Sequence, residues 1–324
     1  MKLQVPFIQL PLLFDAAMLA QEIEALGESI WKPHPQGFPG NSMLPLLAVG
    51  GDPDNEAFSG DMRPTPHLQR CPYLRQTLAS LGATVGRTRL MRLAGQAEVK
   101  RHADQGYYWT ERVRVHVPIV TQPTVQFECG GQSINMAAGE CWIFDTWRQH
   151  RVLNDAVQSR IHLVCDTVGG GAFWESVAHG RAHDAPREGW MPKRVVPDPS
   201  APADFACEAV NVPLVMSPWE LNQHLSFLLA EALPHAQLPV LRQRADRLIQ
   251  LWKGLWAQHG DAADGRAQFR AAFDAFAASV RPLAQGVTLR NEMLWFPVMM
   301  VMIHRVVVAP ADAHAAGKAA GEYA

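Results

Sequence analysis

The sequence predicts an α+β chain in which a mixed lead-in is followed by an antiparallel β-barrel and then by a helical region. Three observations predict this. Between about residues 85 and 168, brief alternating runs of apolar and polar residues are separated by Gly, Asn or Asp turns, the pattern of short antiparallel strands closing into a barrel. Residues 169 to 202 carry the triplet Gly169-Gly170-Gly171 and several prolines, which interrupts that pattern and reads as loops. Beyond this boundary the pattern turns helical.

Taken in order, residues 1 to about 80 combine short apolar runs with turn chemistry, as in Pro33-His34-Pro35-Gln36-Gly37 and Gly50-Gly51-Asp52-Pro53, and include a predicted helix from Ala16 to Leu26. The clearest strand is Arg112-Val113-Arg114-Val115-His116-Val117. Its two-residue period puts the valines on one face, toward a core, and Arg, Arg and His on the other, toward a polar pocket. A second strand, Cys141 to Phe144, follows the Ala138-Gly139-Glu140 turn, and a third, Arg160 to Cys165, follows the Asn154-Asp155 turn. Ser217-Pro218-Trp219-Glu220 has an N-cap, a proline at the first helical position and a glutamate at the third, and so starts a helix running to about Leu233. Further helical patterns cover roughly 239 to 258, 264 to 280 and 293 to 309. The expected organisation is a barrel domain with its lead-in over 1–170, linker and loops over 171–210, a helical C-terminal domain over 211–310 and a flexible tail over 311–324.

Composition narrows the function classes. The 324 residues suffice for a large core, and 48% hydrophobic with 19% charged residues is ordinary for a globular protein. A net charge of -2 without a long basic run argues against nucleic-acid binding, leaving small molecules or peptides as expected partners. The apolar stretch at the start is broken by Pro6, Gln9, Pro11 and Asp15, and the run Trp295 to Pro310 contains His304 and Arg305 and is too short for a bilayer. No membrane segment is expected, and the later run reads as a buried helix. The five cysteines, Cys71, Cys129, Cys141, Cys165 and Cys207, are widely spaced with no CxxC pair. That argues against a disulfide scaffold or thiolate zinc site and fits a reducing cytoplasm.

The chemistry concentrates at His102-Ala103-Asp104. An imidazole and a carboxylate two residues apart on an extended segment point the same way and can take adjacent positions on one metal. With one distant histidine they would complete a two-His-one-carboxylate facial triad, which leaves three metal positions open. The motif alone is weak: 13 His and 31 acidic residues should yield about one His-x-acid match by chance. A second match, His259-Gly260-Asp261, falls between two predicted helices and reads as solvent-facing loop.

Context supplies specificity. Gly95 and His102, then Arg112-x-Arg114-x-His116, then Gly139-x-x-x-Ile143-Phe144-Asp145, then His150 followed ten residues later by Arg160, form an ordered set. Over about Thr88 to Asp166 this set resembles the aspartyl/asparaginyl β-hydroxylase family, related to some free proline hydroxylases, whose members are double-stranded β-helix oxygenases of jelly-roll or cupin-like form. The resemblance implies an Fe(II)- and 2-oxoglutarate-dependent dioxygenase, consuming O2 and hydroxylating an amino acid or an amino-acid residue in a peptide or protein. It implies His102, Asp104 and His150 as iron ligands, Arg160 as the anchor of the co-substrate carboxylate, and Arg114 and His116 as further contacts to co-substrate or substrate carboxylates. A guanidinium fork suits bidentate recognition of a carboxylate. Animal β-hydroxylases of the family typically lack the carboxylate two residues after the first histidine, so Asp104 resembles the proline-hydroxylase branch instead. The serine that often assists the co-substrate carboxylate has no clear match.

Several residues keep two readings. Arg112 is either a substrate contact or an exposed charge at a strand end. Tyr107, Tyr108 and Trp109 either wall the substrate pocket or pack a loop on the barrel, and Trp147 and Arg148 share that ambiguity. Asp145 either accepts a ring N–H from a ligand histidine or caps the turn after its strand. The helical region could cover the barrel, form a homodimer or bind a partner. A second class of function is a cupin-like metal-binding module, or an isomerase, that does not use 2-oxoglutarate; it would need no Arg160.

Overall fold

The computed structural model describes residues 1–58, 60–185, 187–209 and 212–309. The chain opens with β1 (Phe7–Phe14) and α1 (Ala16–Leu26), followed by β2 (Lys32–Pro33), β3 (Asn41–Val49), β4 (Met62–Pro64), α2 (Pro66–Gln69) and α3 (Pro72–Ser80). Then come β5 (Thr84–Leu93), β6 (Ala97–His102), β7 (Val113–Val120), β8 (Val125–Cys129), β9 (Gln132–Ile134), β10 (Glu140–Phe144), β11 (His150–Asn154) and β12 (Arg160–Gly169). After these lie α4 (Gly171–Ala178), β13 (Arg181–Ala182), β14 (Lys193–Val195), α5 (Pro218–Glu231), α6 (Leu238–His259), α7 (Arg266–Val280) and α8 (Trp295–Met299). Among the described residues two compact units result: residues 1–104 with 109–209, and residues 105–108 with 212–309.

The first unit is a jelly-roll barrel of two sheets. The larger runs β13-β1-β10-β7-β12-β5-β3-β2, with β14 added on β1 and β4 on β3; the smaller runs β6-β11-β8-β9. Every pairing between the named strands is antiparallel except the edge pair of β1 and β14. Strand alternation sorts the residues by face. On β7, Val113, Val115 and Val117 join Leu10, Leu19, Leu74 and Leu78 in one core, covering the outer face of the large sheet with α1 and α3. Phe7, Leu93, Trp142 and Phe144 of the large sheet meet Val125, Phe127 and Val152 of the small one in a second core inside the sandwich. Ring pairs such as Phe7 with Phe127, centroids 5.7 Å apart, join the two sheets. The polar faces of β7 and β12 point into this same interior and make the site.

Two glycines of the sequence pattern are steric requirements. A Cβ on Gly95 would lie 2.0 Å from the Val157 carbonyl oxygen, where the β5–β6 turn crosses the β11–β12 turn. Gly139 has φ +81 and sits against the Phe14 carbonyl. The β11–β12 turn is further tied by Asn154, whose amide donates to the carbonyls of Leu93, Ala94 and Gln158.

Residues 171–209, expected to be linker and loops, instead add structure to the barrel unit: α4 follows β12 directly, and β13 and β14 both pair with β1. The reason is that β1 would otherwise be an edge strand with unpaired backbone groups. The tail expected over 311–324 lies outside the described residues. All five cysteines are free thiols.

In the second unit Ser217 accepts the Glu220 backbone N–H and starts α5 behind Pro218, as the capping pattern predicts. Trp252, fully buried, packs its ring at a tilt against Phe269 and donates to the Met216 carbonyl at 2.8 Å. The helix expected over 293 to 309 is shorter: α8 passes into a π-helical turn at Met300–His304. Arg270 of α7 donates to the His304 and Val308 carbonyls there and so satisfies the chain end of that helix. Among the described residues no helix is long and apolar enough to cross a membrane.

Candidate metal centre

His102 ends β6 and His150 begins β11, and the two are register partners in the small sheet. Asp104 follows two residues after His102, its backbone N–H bound to the Thr146 carbonyl at 3.0 Å. The ligand atoms of His102, Asp104 and His150 all lie within 4.8 Å of one another, the one such group of His, Cys, Asp and Glu found among the described residues.

The protonation of the group suits a divalent cation. His102 Nδ1 lies 2.7 Å from the Lys100 carbonyl and His150 Nδ1 lies 2.9 Å from that of Arg148, so each ring spends its proton on Nδ1 and leaves Nε2 bare. Burial lowers the pKa of His150 to about 4, keeping it a neutral ligand. Both oxygens of Asp104 are buried and accept no hydrogen bond among the described residues. Burial alone would push its carboxyl up, but Arg114, His150 and His102 outweigh that and hold the pKa below the usual carboxylate value. An ionised, unsatisfied carboxylate beside two bare imidazole nitrogens is the donor set a divalent metal would complete.

Around this group lies a cationic interior. Arg114 Nη1 is 3.4 Å from Asp104, and its Nε donates to Asp166 at 2.9 Å. Its guanidinium also lies over the Trp109 ring, 4.2 Å from the centroid. Arg87 stands 3.9 Å from Asp166 and over Phe58. Arg160, at the start of β12, is buried with no hydrogen bond or ion pair among the described residues, and its Nε is unsatisfied. Burial lowers its pKa to about 9, so it is a cation at neutral pH. His116 meets His162 Nδ1 to Nδ1 at 3.3 Å.

Not every residue singled out in the sequence enters this interior. Arg112 is neither an exposed strand end nor directed at the metal group: it is buried in a bidentate pair with Glu208, Nε and Nη2 donating at 3.0 to 3.1 Å. The pair forms because Arg112 precedes β7 while Glu208 pairs through its backbone with Val85, bringing an acid from the segment expected to be linker. The Tyr107 hydroxyl donates to Glu220 at 2.7 Å, with His224 edge-on to its ring, and so belongs with Tyr108 to the helical unit, whereas Trp109 belongs to the barrel. Asp145 takes the capping role, accepting from the Trp147 N–H and from Arg148 Nε. His162, Asp166, Arg87 and Arg89 were not singled out. Extending the two-residue period from Arg160 to His162 and Asp166 along β12 would have found two of them.

Residues 54–169 match the family model described as aspartyl/asparaginyl beta-hydroxylase. The match is confined to this barrel segment, which is well under half of the chain. The matched segment holds all three candidate metal ligands and Arg160. A curated relative, L-proline cis-3-hydroxylase 1 from a Streptomyces species, is 26% identical over 153 residues, which is 43% of this chain and 51% of the relative. The chain thus matches about half the length of that relative. Among solved structures, a Pseudomonas putida prolyl-4-hydroxylase aligns at 16% identity with TM-score 0.35, over 51% of this chain and 92% of that one. HygX from Streptomyces hygroscopicus, with nickel and 2-oxoglutarate bound, aligns at 11% identity with TM-score 0.36, over 50% and 82%. Both likenesses are too partial to bear on chemistry.

Proposed function

We propose that the chain is an Fe(II)- and 2-oxoglutarate-dependent dioxygenase that hydroxylates a small amino acid. The observation that carries this is the bare His102, Asp104 and His150 donor set in the same barrel interior as Arg160, a buried guanidinium with no carboxylate partner among the described residues. A lone metal-binding module has no need of such a cation, since an uncompensated buried charge is costly. A dicarboxylic co-substrate would satisfy it bidentately.

When bound, the metal and co-substrate supply the activation of O2 that places a hydroxyl on a C–H bond. His102, Asp104 and His150 would hold the metal through two imidazole nitrogens and a carboxylate. Arg160 would orient the co-substrate through its distal carboxylate, fixing which end meets the metal. Arg114 holds Asp104 ionised and in place through their ion pair and its own bond to Asp166. Phe127 and Phe144, packed against His150 and His116, exclude water from the buried side of the site. The Streptomyces relative named for L-proline supports a free amino acid over a residue in a peptide or protein as substrate.

The test is anaerobic titration of Fe(II)-loaded protein with 2-oxoglutarate, following the weak visible charge-transfer band of the chelate, in wild type and Arg160→Ala. A band in wild type that needs far more 2-oxoglutarate in the variant is expected. Folded, iron-loaded protein that gives no band would return the chain to the class of metal-binding cupins and isomerases that use no oxo acid.

A further inference from the structure

The contact between His116 of β7 and His162 of β12 has a chemical consequence that neither residue has alone. Both imidazoles are buried, and burial, followed by the charge of Arg160, holds both pKa values well below the ordinary histidine value, so both are neutral. A neutral imidazole carries one proton. Their Nδ1 atoms lie 3.3 Å apart, which makes a hydrogen bond only if one Nδ1 is protonated and the other is bare. The two rings are therefore opposite tautomers: one shows a bare Nε2 and the other an Nε2–H. Among the described residues neither Nε2 has a hydrogen-bond partner, and the Nε of Arg160, two residues before His162 on the same strand, has none either.

Three orphaned buried polar groups in one place are expensive unless a ligand satisfies them. With a guanidinium among them, the ligand group is an anion, and an anion needs a donor from the imidazole that faces it. His116 is within electrostatic reach of Arg160, Arg114 and His150, so it couples to the buried arginine and to a metal ligand, whereas the charges that act on His162 are those of Arg160 and His116. Phe127 and Phe144 stand edge-on to the His116 ring, at 5.3 and 5.4 Å, and offer it no hydrogen bond, so its tautomer depends on His162.

We propose that His162 is a positioning residue: its Nδ1–H donates to Nδ1 of His116 and keeps the His116 proton on Nε2, as a second donor beside Arg160 to a carboxylate of the dicarboxylic co-substrate. This rests on the oxo-acid reading above.

The experiment is nitrogen NMR of 15N-histidine-labelled full-length protein loaded with Zn(II), with His116→Gln and His162→Asn used for assignment. His116 protonated at Nε2 with His162 protonated at Nδ1 is expected; the reverse arrangement overturns the proposal, and this readout needs no turnover and no variant that folds poorly. Affinity for 2-oxoglutarate is then compared. His162→Asn, whose amide can still donate, should stay within a few-fold of wild type, while His162→Leu should lose about tenfold or more at unchanged Zn(II) affinity. Equal binding by wild type and His162→Leu would reject the positioning role. Failure of wild type itself to bind 2-oxoglutarate would instead reject the oxo-acid reading, with the measured tautomers unaffected.

Discussion

His102 and His150 are direct partners across the β6–β11 ladder, ring centroids 4.2 Å apart, and each turns Nδ1 to the carbonyl two residues before it. The same local device on two antiparallel strands leaves both Nε2 atoms on the side where Asp104 ends. A divalent metal should therefore stabilise the folded chain, by about 2.7 kcal/mol at a hundredfold excess over its dissociation constant. His102→Ala, Asp104→Ala and His150→Ala should each abolish most of that gain in denaturation with and without metal. A variant that keeps the full gain would remove its residue from the ligand set.

Arg160→Leu should separate stability from binding. Removing a buried, unpartnered cation relieves a desolvation cost, so the variant should be as stable as wild type or more stable by about 1 kcal/mol. It should nevertheless bind 2-oxoglutarate poorly. Urea denaturation checks the first point; a clear loss of stability would mean Arg160 has a structural partner.

Arg112 should behave oppositely. Its loss leaves Glu208 buried and uncompensated, so Arg112→Ala should destabilise by about 3–5 kcal/mol. The double variant Arg112→Met, Glu208→Leu should recover much of this. If Arg112→Ala folds with wild-type stability, the ion pair is not the residue's role.

Acid should weaken the metal-free fold earlier than carboxylate protonation would. His150, near 4, and His116 and His162, both well below 6.5, have lowered folded-state values, so below about pH 6.5 the unfolded chain binds protons that the folded chain refuses. Their contribution is complete above that pH and declines as pH falls toward 4, by up to about 1.4 kcal/mol per pH unit for each imidazole. Urea midpoints compared at about pH 7.5 and 5 measure it, and equal midpoints would count against neutral burial of these rings.

The local elements were legible in the sequence because their causes are local. Asp15 and Ser217 cap α1 and α5 through their own side chains, and the valines of β7 announce its faces by alternation. The ordered spacing from His102 to Arg160 marked the residues that the barrel brings into one interior. The exceptions involve distant partners. Arg112 looked available until Glu208 closed on it from 96 residues away. Tyr107 looked like a pocket wall, but its hydroxyl belongs to Glu220, 113 residues on.

By itself the sequence determined the main barrel strands and the first helices of the second unit, the His-x-Asp and distal His, and the arginine ten residues beyond it, since each depends on residue type and short-range period. Only the tertiary structure decided which polar groups are satisfied. Whether a guanidinium is paired, as in Arg112, or left waiting, as in Arg160, depends on which side chains the fold brings within hydrogen-bond reach in a dry interior. The same holds for the proton shared by His116 and His162: they are 46 residues apart in the chain, and only the pairing of β7 with β12 makes their tautomers one variable.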